Sequence, residues 1–389
     1  LTVIALRRTT SYTRTRLQAF DNVIIIVQTP APIDGRMRPV KALGGATVET
    51  ASPSMAAAAA GIAAAPFLAA DVGGTHARVG LVCATGNRAQ PVALLRYATY
   101  ACANHAGLGE ILRTFLAEHT TAPVRDGSIA CAGYPDGDRI INSNLPWAVS
   151  RTELRAALGA HELMLINDFQ AMACATEFLR ADEAPLIAGP AHGADAPVLV
   201  MGPGTGLGAA VRIPAHGAGS IILSTEAGQA AFAPTTPREL AILEHLLQGG
   251  AHVPVEQILS GPGLHTVYRT LGVIEGRAAP LDSPAQVTAA AVAGQDALAR
   301  EALETFCGLL GSVVGDLILL YGAQGGVFLA GGVLPRLRDF LRRSSFHERL
   351  LHKGPMRSVL AQVPVRLLEP GNLGVLGAAS WFLQHRSGA

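Results

Sequence analysis

The chain has almost no charge excess: 30 basic and 29 acidic side chains leave a formal net charge of +1 over 389 residues. Such balance offers no polyelectrolyte attraction to nucleic acid or to an anionic membrane, so small molecules are the expected partners. Cysteine is scarce. Its five copies, Cys83, Cys102, Cys131, Cys174 and Cys307, are odd in number, scattered through apolar stretches and never spaced as Cys-x-x-Cys. That argues against a disulfide framework and against a zinc or redox pair, and predicts reduced core thiols in a cytoplasmic protein. Long hydrophobic runs are also missing. The longest, residues 307–320, is interrupted by Gly308, Gly311, Gly315 and Asp316 and is too short to cross a bilayer, so no transmembrane helix is expected.

What is abundant is apolar residue, 49% of a chain longer than one hydrophobic core usually supports, and two domains with a cleft between them follow. The first 54 residues stand apart. They hold six Arg and one Lys against Asp21, Asp34 and Glu49, a local balance of +4 that leaves the remainder at −3. One apolar run, 23–27, has no sustained period, and the stretch ends before Met55 and an alanine tract. An organelle transit peptide fits its arginine content but not its acids, and a secretory signal lacks the basic flank. The reading adopted is an extension over 1–65, disordered or produced by a misassigned start, with Met55 as the biological first residue.

Two glycine-threonine turns carry the most information. Asp71-Val72-Gly73-Gly74-Thr75-His76-Ala77-Arg78 and Gly202-Pro203-Gly204-Thr205-Gly206-Leu207-Gly208 each follow a short apolar run (66–70; 197–201) and precede another (79–83; 209–213). Each reads as a tight hairpin in which glycine permits positive φ and close backbone approach, turning amide N–H groups and a threonine hydroxyl toward phosphate oxygens. Neither ends in Gly-Lys-Ser/Thr, and neither is a Gly-x-Gly-x-x-Gly opening a helix. A single turn of this kind is also ordinary turn chemistry; the pair points to two grips on one nucleotide.

The surrounding pattern repeats. Strand-like runs at 66–71, 78–84 and 91–98 precede a helix over 108–118, a strand at 128–132, a helix at 151–158, a strand at 163–166 and a helix from 169. A second series has runs at 197–201, 207–213 and 219–224, then a helix opened by the capping box Thr236-Pro237-Arg238-Glu239. Helices at 264–271 and 285–320, a strand at 327–330, a helix near 337, a strand at 363–368 and a helix from 373 complete it. Three strands followed by alternating helix and strand, twice over, is an α/β duplication, with both turns at a shared cleft. The corresponding domains are 66–178 with 370–389, and 179–369.

Asn167-Asp168 falls at the carboxyl end of a buried strand, where open α/β sheets present ligands, and also directly before a helix, where either residue serves as an N-cap. Glu226 and Glu256 stand near turns, where glutamates are usually solvated surface. Acids and amides on both sides of the cleft, with the two turns and a third at Ala330-Gly331-Gly332, make a set suited to a polyhydroxy substrate.

In this order and spacing the motifs resemble the bacterial glucokinases of the actin-like, hexokinase-type ATPase superfamily, from about Phe67 to the C-terminus. The resemblance implies two ribonuclease H-like (actin-like ATPase) domains with a nucleotide and sugar cleft between them, ATP and Mg²⁺ as cofactors, and glucose phosphorylated at its 6-hydroxyl. It leaves a homodimer open. It implies nucleotide contacts at Asp71, Gly73, Gly74, Thr75, Gly202, Gly204, Thr205 and Gly206, with Gly331 and Gly332 at the adenosine and Leu259-Ser260-Gly261-Pro262-Gly263-Leu264 as a signature segment. Asp71 would orient Mg²⁺ through water, Asp168 would be the general base, and Asn167, Glu226, Gln229 and Glu256 would hold the sugar. The family places a histidine at the position of Gln229, so the sugar preference is expected to be weakened or altered. His76 stands where Asn is common.

An aspartate with an ordinary pKa near 4 is a weak base for a hydroxyl, and takes the proton only as the oxygen becomes acidic during transfer. Two other readings compete. Gln229 favours a kinase for mannose, fructose or an amino sugar. A sugar-sensing regulator would keep the fold, but neither a helix-turn-helix nor a clustered Cys/His zinc segment is visible.

Overall fold

The computed structural model describes residues 65–141, 145–180, 183–215, 219–369 and 371–386, with the backbone of two short strands near the N-terminus. Leu1–Gly44 forms one compact unit, in which Leu17–Phe20 pairs antiparallel with Val23–Ile26, and Gly45–Ala389 forms the other. The expectation about Met55, and that of disorder over 1–65 apart from these two paired strands and residue 65, lie outside the described residues.

Within Gly45–Ala389 the same sheet is built twice. Strands β1 (Phe67–Val72), β2 (His76–Ala84), β3 (Val92–Ala101), β4 (Asp126–Cys131) and β5 (Glu162–Asn167) lie in the order β5-β4-β1-β2-β3. The second sheet adds an edge strand, β6 (Leu186–Ala188), to β7 (Val198–Pro203), β8 (Leu207–Ala215), β9 (Gly219–Thr225), β10 (Gly326–Leu329) and β11 (Val365–Leu367), in the order β6-β11-β10-β7-β8-β9. Each half is an antiparallel meander of three strands whose first member gains a parallel neighbour on its other side, and that neighbour pairs in turn with a second parallel strand. The duplication read from the sequence is therefore present strand for strand.

Helix boundaries follow their caps. Thr236 accepts from the Glu239 N–H and the Glu239 carboxylate accepts from the Thr236 N–H, the predicted capping box with Pro237 in the first turn. The segment expected as one helix over 285–320 is two. Gly294, in the left-handed region at φ 68°, ends Pro284–Ala293, and the Asp296 side chain accepts from the Ala299 N–H to begin Ala297–Tyr321. Among the described residues Ala297–Tyr321 is the helix long and apolar enough to cross a membrane, yet most of its apolar window is buried, with Phe306, Leu310 and Val314 in the core of the second sheet. A small sheet of Tyr134–Asp136, Arg139–Ile141 and Val149–Ser150 was not foreseen.

Three helices bear on the glycine-threonine hairpins and the Asn167-Asp168 strand end. Helix α1 (Asp168–Ala175) buries Ala171 against the first sheet's cluster and Ala173 against Val200 and Ala210 of the second. Helix α2 (Gly261–Glu275) begins at Ser260, whose side chain accepts from the Gly263 N–H. Helix α3 (Leu373–His385) returns to the first sheet, where Val375, Ala378 and Phe382 pack on Phe67, Ala69 and Ile166.

Candidate active site

Both glycine-threonine turns are hairpins, β1–β2 and β7–β8. Neither uses positive φ at its glycines, contrary to the expectation from the sequence; the positive-φ glycines lie elsewhere. In the second hairpin, close approach is the reason for glycine at three positions. A Cβ on Gly202 would strike the Ala330 carbonyl, one on Gly206 the Glu256 carboxylate, and one on Gly208 the Phe169 ring. The hairpins are held from outside: Cys102 N–H donates to the Thr75 carbonyl at 2.9 Å, and Gly261 N–H to the Gly204 carbonyl at 2.8 Å.

The two hairpins face one cleft of about 310 Å³, lined by Asp71, Gly73, Gly74 and Thr75 from the first, Gly202, Gly204 and Thr205 from the second, and Gly331 and Gly332 beyond them. A second cavity of about 230 Å³ brings together Asn167, Glu226, Gln229 and Glu256, with Gly206 on this side rather than in the first cleft. Asp168 lines both. Every site residue expected from the sequence thus falls at one of two adjoining cavities that share Asp168.

The cap before α1 belongs to Asn167, not Asp168. Asn167 Oδ1 accepts from the N–H groups of Phe169 and Gln170 at 2.9 and 3.2 Å, while its Nδ2 donates to the Gly133 carbonyl at 3.0 Å. One amide hydrogen of Asn167 is left for a ligand. Asp168, freed from capping duty, sits in the first turn with the Phe169 N–H on its Oδ1 at 2.9 Å.

Burial pushes the Asp168 carboxyl up to about 7, and the nearby negative charge of Asp71 adds to the rise. The ordinary value assumed from the sequence does not hold, because a side chain at this strand end is desolvated. Asp71 is itself raised by burial, an effect opposed by Arg78, whose guanidinium donates to Asp71 Oδ2 at 3.2 Å. Arg78 stands directly opposite Asp71 in the β1–β2 register. Sequence reading passed over it, although the hairpin register alone would have paired the two.

In the second cavity Gln229 Nε2 donates to Glu256 Oε1 at 3.2 Å, and Glu256 Oε2 accepts from the Leu207 N–H at 2.8 Å. His252 braces the Gln229 carbonyl at 3.1 Å. The Glu226 carboxyl is raised by burial and by the charge of Glu256. The exposed Glu226 and the partly buried Glu256 offer carboxylate acceptors suited to hydroxyl donors, which a polyol supplies.

Asp71 also depends on a residue far away in the chain. A Cβ on Gly374, in the first turn of α3, would lie 2.5 Å from Asp71 Cγ. Gly374→Ala is expected to destabilise the fold by about 1–3 kcal/mol through overpacking, seen as a lowered thermal midpoint; an unchanged midpoint would show that the carboxylate yields freely.

A third cavity of about 580 Å³, largely apolar, lies beside the second hairpin and is lined by Pro203, Ser260, Gly261, Pro284, Phe306, Val333 and Arg336. Among the described residues no cluster of three or more His, Cys, Asp or Glu forms a metal cage.

Comparisons with known proteins agree on one family. A sequence profile described as Glucokinase matches residues 68–385. A glucokinase-like protein of Xylella fastidiosa strain 9a5c is 50% identical over 322 residues, covering 82% of this chain and 96% of its own length. The glucokinase of Paramagnetospirillum magneticum strain AMB-1 is 38% identical over 315 residues, covering 80% and 96% respectively. The crystal structure of a glucokinase from an Antarctic psychrotroph matches with a TM-score of 0.71 at 33% identity, over 82% of this chain and 99% of that one.

Proposed function

The chain belongs to the glucokinase family of ATP-dependent sugar kinases, and from that premise we propose that it transfers the terminal phosphoryl group of ATP to the 6-hydroxyl of glucose, with Asp168 as general base. The observation that supports this most directly is that Asp168 lines both the cleft of the two hairpins and the cavity of carboxylates and amides. A group that must meet the hydroxyl on one side and the phosphoryl on the other belongs at that junction.

In this reading the amides and the hydroxyls of Thr75 and Thr205 hold the phosphates, and the base of the nucleotide extends past Gly331 and Gly332 into the apolar cavity at Ser260 and Val333. Glu226, Gln229 and Glu256, with the remaining amide hydrogen of Asn167, orient the sugar hydroxyls. Asp168, raised to about 7, is a stronger base than an ordinary aspartate and accepts the 6-hydroxyl proton as that oxygen bonds to phosphorus.

The residues present fit Mg²⁺. A partly buried carboxylate at Asp71, with no cage of three or more ligands among the described residues, suits an ion that keeps most of its water and takes further ligands from phosphates. When bound it supplies neutralisation of the phosphate charge. Residues 66–178 with 370–389, and 179–369, act as two lobes that close and exclude water; the duplicated sheets, each with one hairpin at the cleft, support this. Five unpaired, buried cysteines suit a cytoplasmic setting.

A coupled assay of ADP release across glucose, mannose, fructose and an amino sugar tests the reading, with glucose expected to give the highest kcat/KM. No turnover of any hexose would overturn it. Higher kcat/KM for another hexose would favour the second reading, for which Gln229 in place of the family's histidine is the specific observation. Gln229→His is expected to tighten glucose binding about three- to tenfold, the worth of one neutral hydrogen bond, read as a lower KM for glucose.

A further inference from the structure

Two large apolar side chains stand open to solvent on the wall of the hydroxyl-binding cavity. Tyr134 is 55% exposed and Ile141 61%. They are direct partners in the antiparallel pairing of Tyr134–Asp136 with Arg139–Ile141, and both line the cavity that contains Glu226, Gln229 and Glu256. One exposed apolar residue needs no explanation. An opposed pair on a ligand cavity is different, because nothing in the fold gains from leaving both in water.

The fold holds them there firmly. After β4 the chain turns at Gly133, whose φ of 126° is rarely open to a residue with a Cβ, and Tyr134 follows at once. Asn167 Nδ2 donates to the Gly133 carbonyl, so the side chain that caps the Asp168 helix also roots this hairpin. On the far side Arg139–Ile141 pairs with Val149–Ser150, and Asp138 accepts from the Ser150 hydroxyl at 2.7 Å and the Thr152 N–H at 3.0 Å. Ile140 is buried in the core of the first sheet. Strand alternation then obliges Ile141 to face outward.

We propose that Tyr134 and Ile141 form the apolar wall of the sugar subsite, lying against the C–H face of a bound pyranose while the carboxylates and amides take its hydroxyls. A pyranose chair carries hydroxyls around its rim and C–H groups on its faces, and an aromatic ring offers such C–H groups a flat, electron-rich surface. The inference rests on the sugar-kinase reading above and narrows it to closed-ring hexoses: a flat apolar wall complements a ring face, which an open-chain polyol lacks.

Steady-state kinetics of the full chain with glucose and ATP test it. Tyr134→Ala is expected to raise the KM for sugar about tenfold, equivalent to about 1.4 kcal/mol, with the larger part of the effect in KM for sugar rather than in kcat or in KM for ATP. Tyr134→Phe, which keeps the ring, restores most of the lost affinity, and Ile141→Ser raises the sugar KM severalfold. Both side chains are exposed, so thermal midpoints close to that of the unaltered chain separate loss of binding from loss of fold. If Tyr134→Ala leaves the sugar KM within about twofold, or raises the KM for sugar and ATP alike, the wall is overturned and the kinase reading stands. If the unaltered chain phosphorylates no hexose, the kinase reading fails first and takes the wall with it.

Discussion

Asp168→Asn is expected to lower kcat by about 10³ or more, within the range that removal of a general base produces, while ATP affinity changes little. Asparagine keeps the shape of the side chain and the acceptor for the Phe169 N–H, so geometry survives and only the capacity to take a proton is lost. Rapid-quench measurement of sugar phosphate formation, with nucleotide titration alongside, separates the two. Retained turnover would remove Asp168 from the chemistry. The same variant has a second, opposite signature. A carboxyl raised to about 7 in the fold holds its proton between about pH 4 and pH 7, where the unfolded chain, at an ordinary aspartate value, has released it. The folded state binds more protons in that window, so this group's contribution to stability falls as pH rises through it, by an amount on the order of a few kcal/mol. Asparagine abolishes that component. The variant is therefore expected to melt at a higher temperature than the unaltered chain at pH 8, by a margin that shrinks toward pH 4. Loss of activity with gain of stability is the mark of a charge kept buried for function.

Much of this was legible because local chemistry and tertiary role coincide. The hairpins at Gly73-Gly74-Thr75 and at residues 202–208 announce themselves by glycine between apolar runs, and the repeated succession of elements revealed the duplication that the strand order bears out. The place of Asp168 at the junction of two cavities was legible because open α/β sheets present ligands at the carboxyl ends of their strands. What escaped depends on burial and on distant segments. The raised Asp168 carboxyl follows from desolvation and the charge of Asp71, neither visible in a linear reading. Gly374 abuts Asp71 from the C-terminal helix, and no local pattern links them. Tyr134 and Ile141 belong to strands of three residues, too short for alternation to register. Asn167 was read as a sugar contact, yet most of its hydrogen-bonding capacity serves the α1 cap and the Gly133 hairpin; a residue favourable for two structural duties at a strand end looks the same in sequence as one favourable for binding.

Asp71→Asn is expected to lower kcat by about 10², the scale at which loss of one charge-stabilising group acts on a transferring phosphoryl, and to move the acid limb of the rate profile at the same time. The direction follows from the charges. Asp71 is one of the groups that raise the Asp168 carboxyl, second to burial itself, so neutralising it lowers the Asp168 pKa. Arg78, which now pairs with Asp71 at 3.2 Å, is then left without that carboxylate and adds its positive field in the same direction. With ionised Asp168 as the proposed base, the residual activity of the variant should reach its plateau at lower pH than that of the unaltered chain. The kcat/KM profile for sugar between pH 5 and pH 9 reads the shift, and binding of Mg²⁺ with nucleotide, followed calorimetrically, reads the lost anchor independently of turnover. Weaker metal-nucleotide binding with an unmoved acid limb would mean that Asp168 does not sense Asp71, and that the group titrating in the rate is another. An acid limb displaced to lower pH, with metal-nucleotide binding unchanged, would remove Asp71 from the metal site while keeping its electrostatic hold on the base.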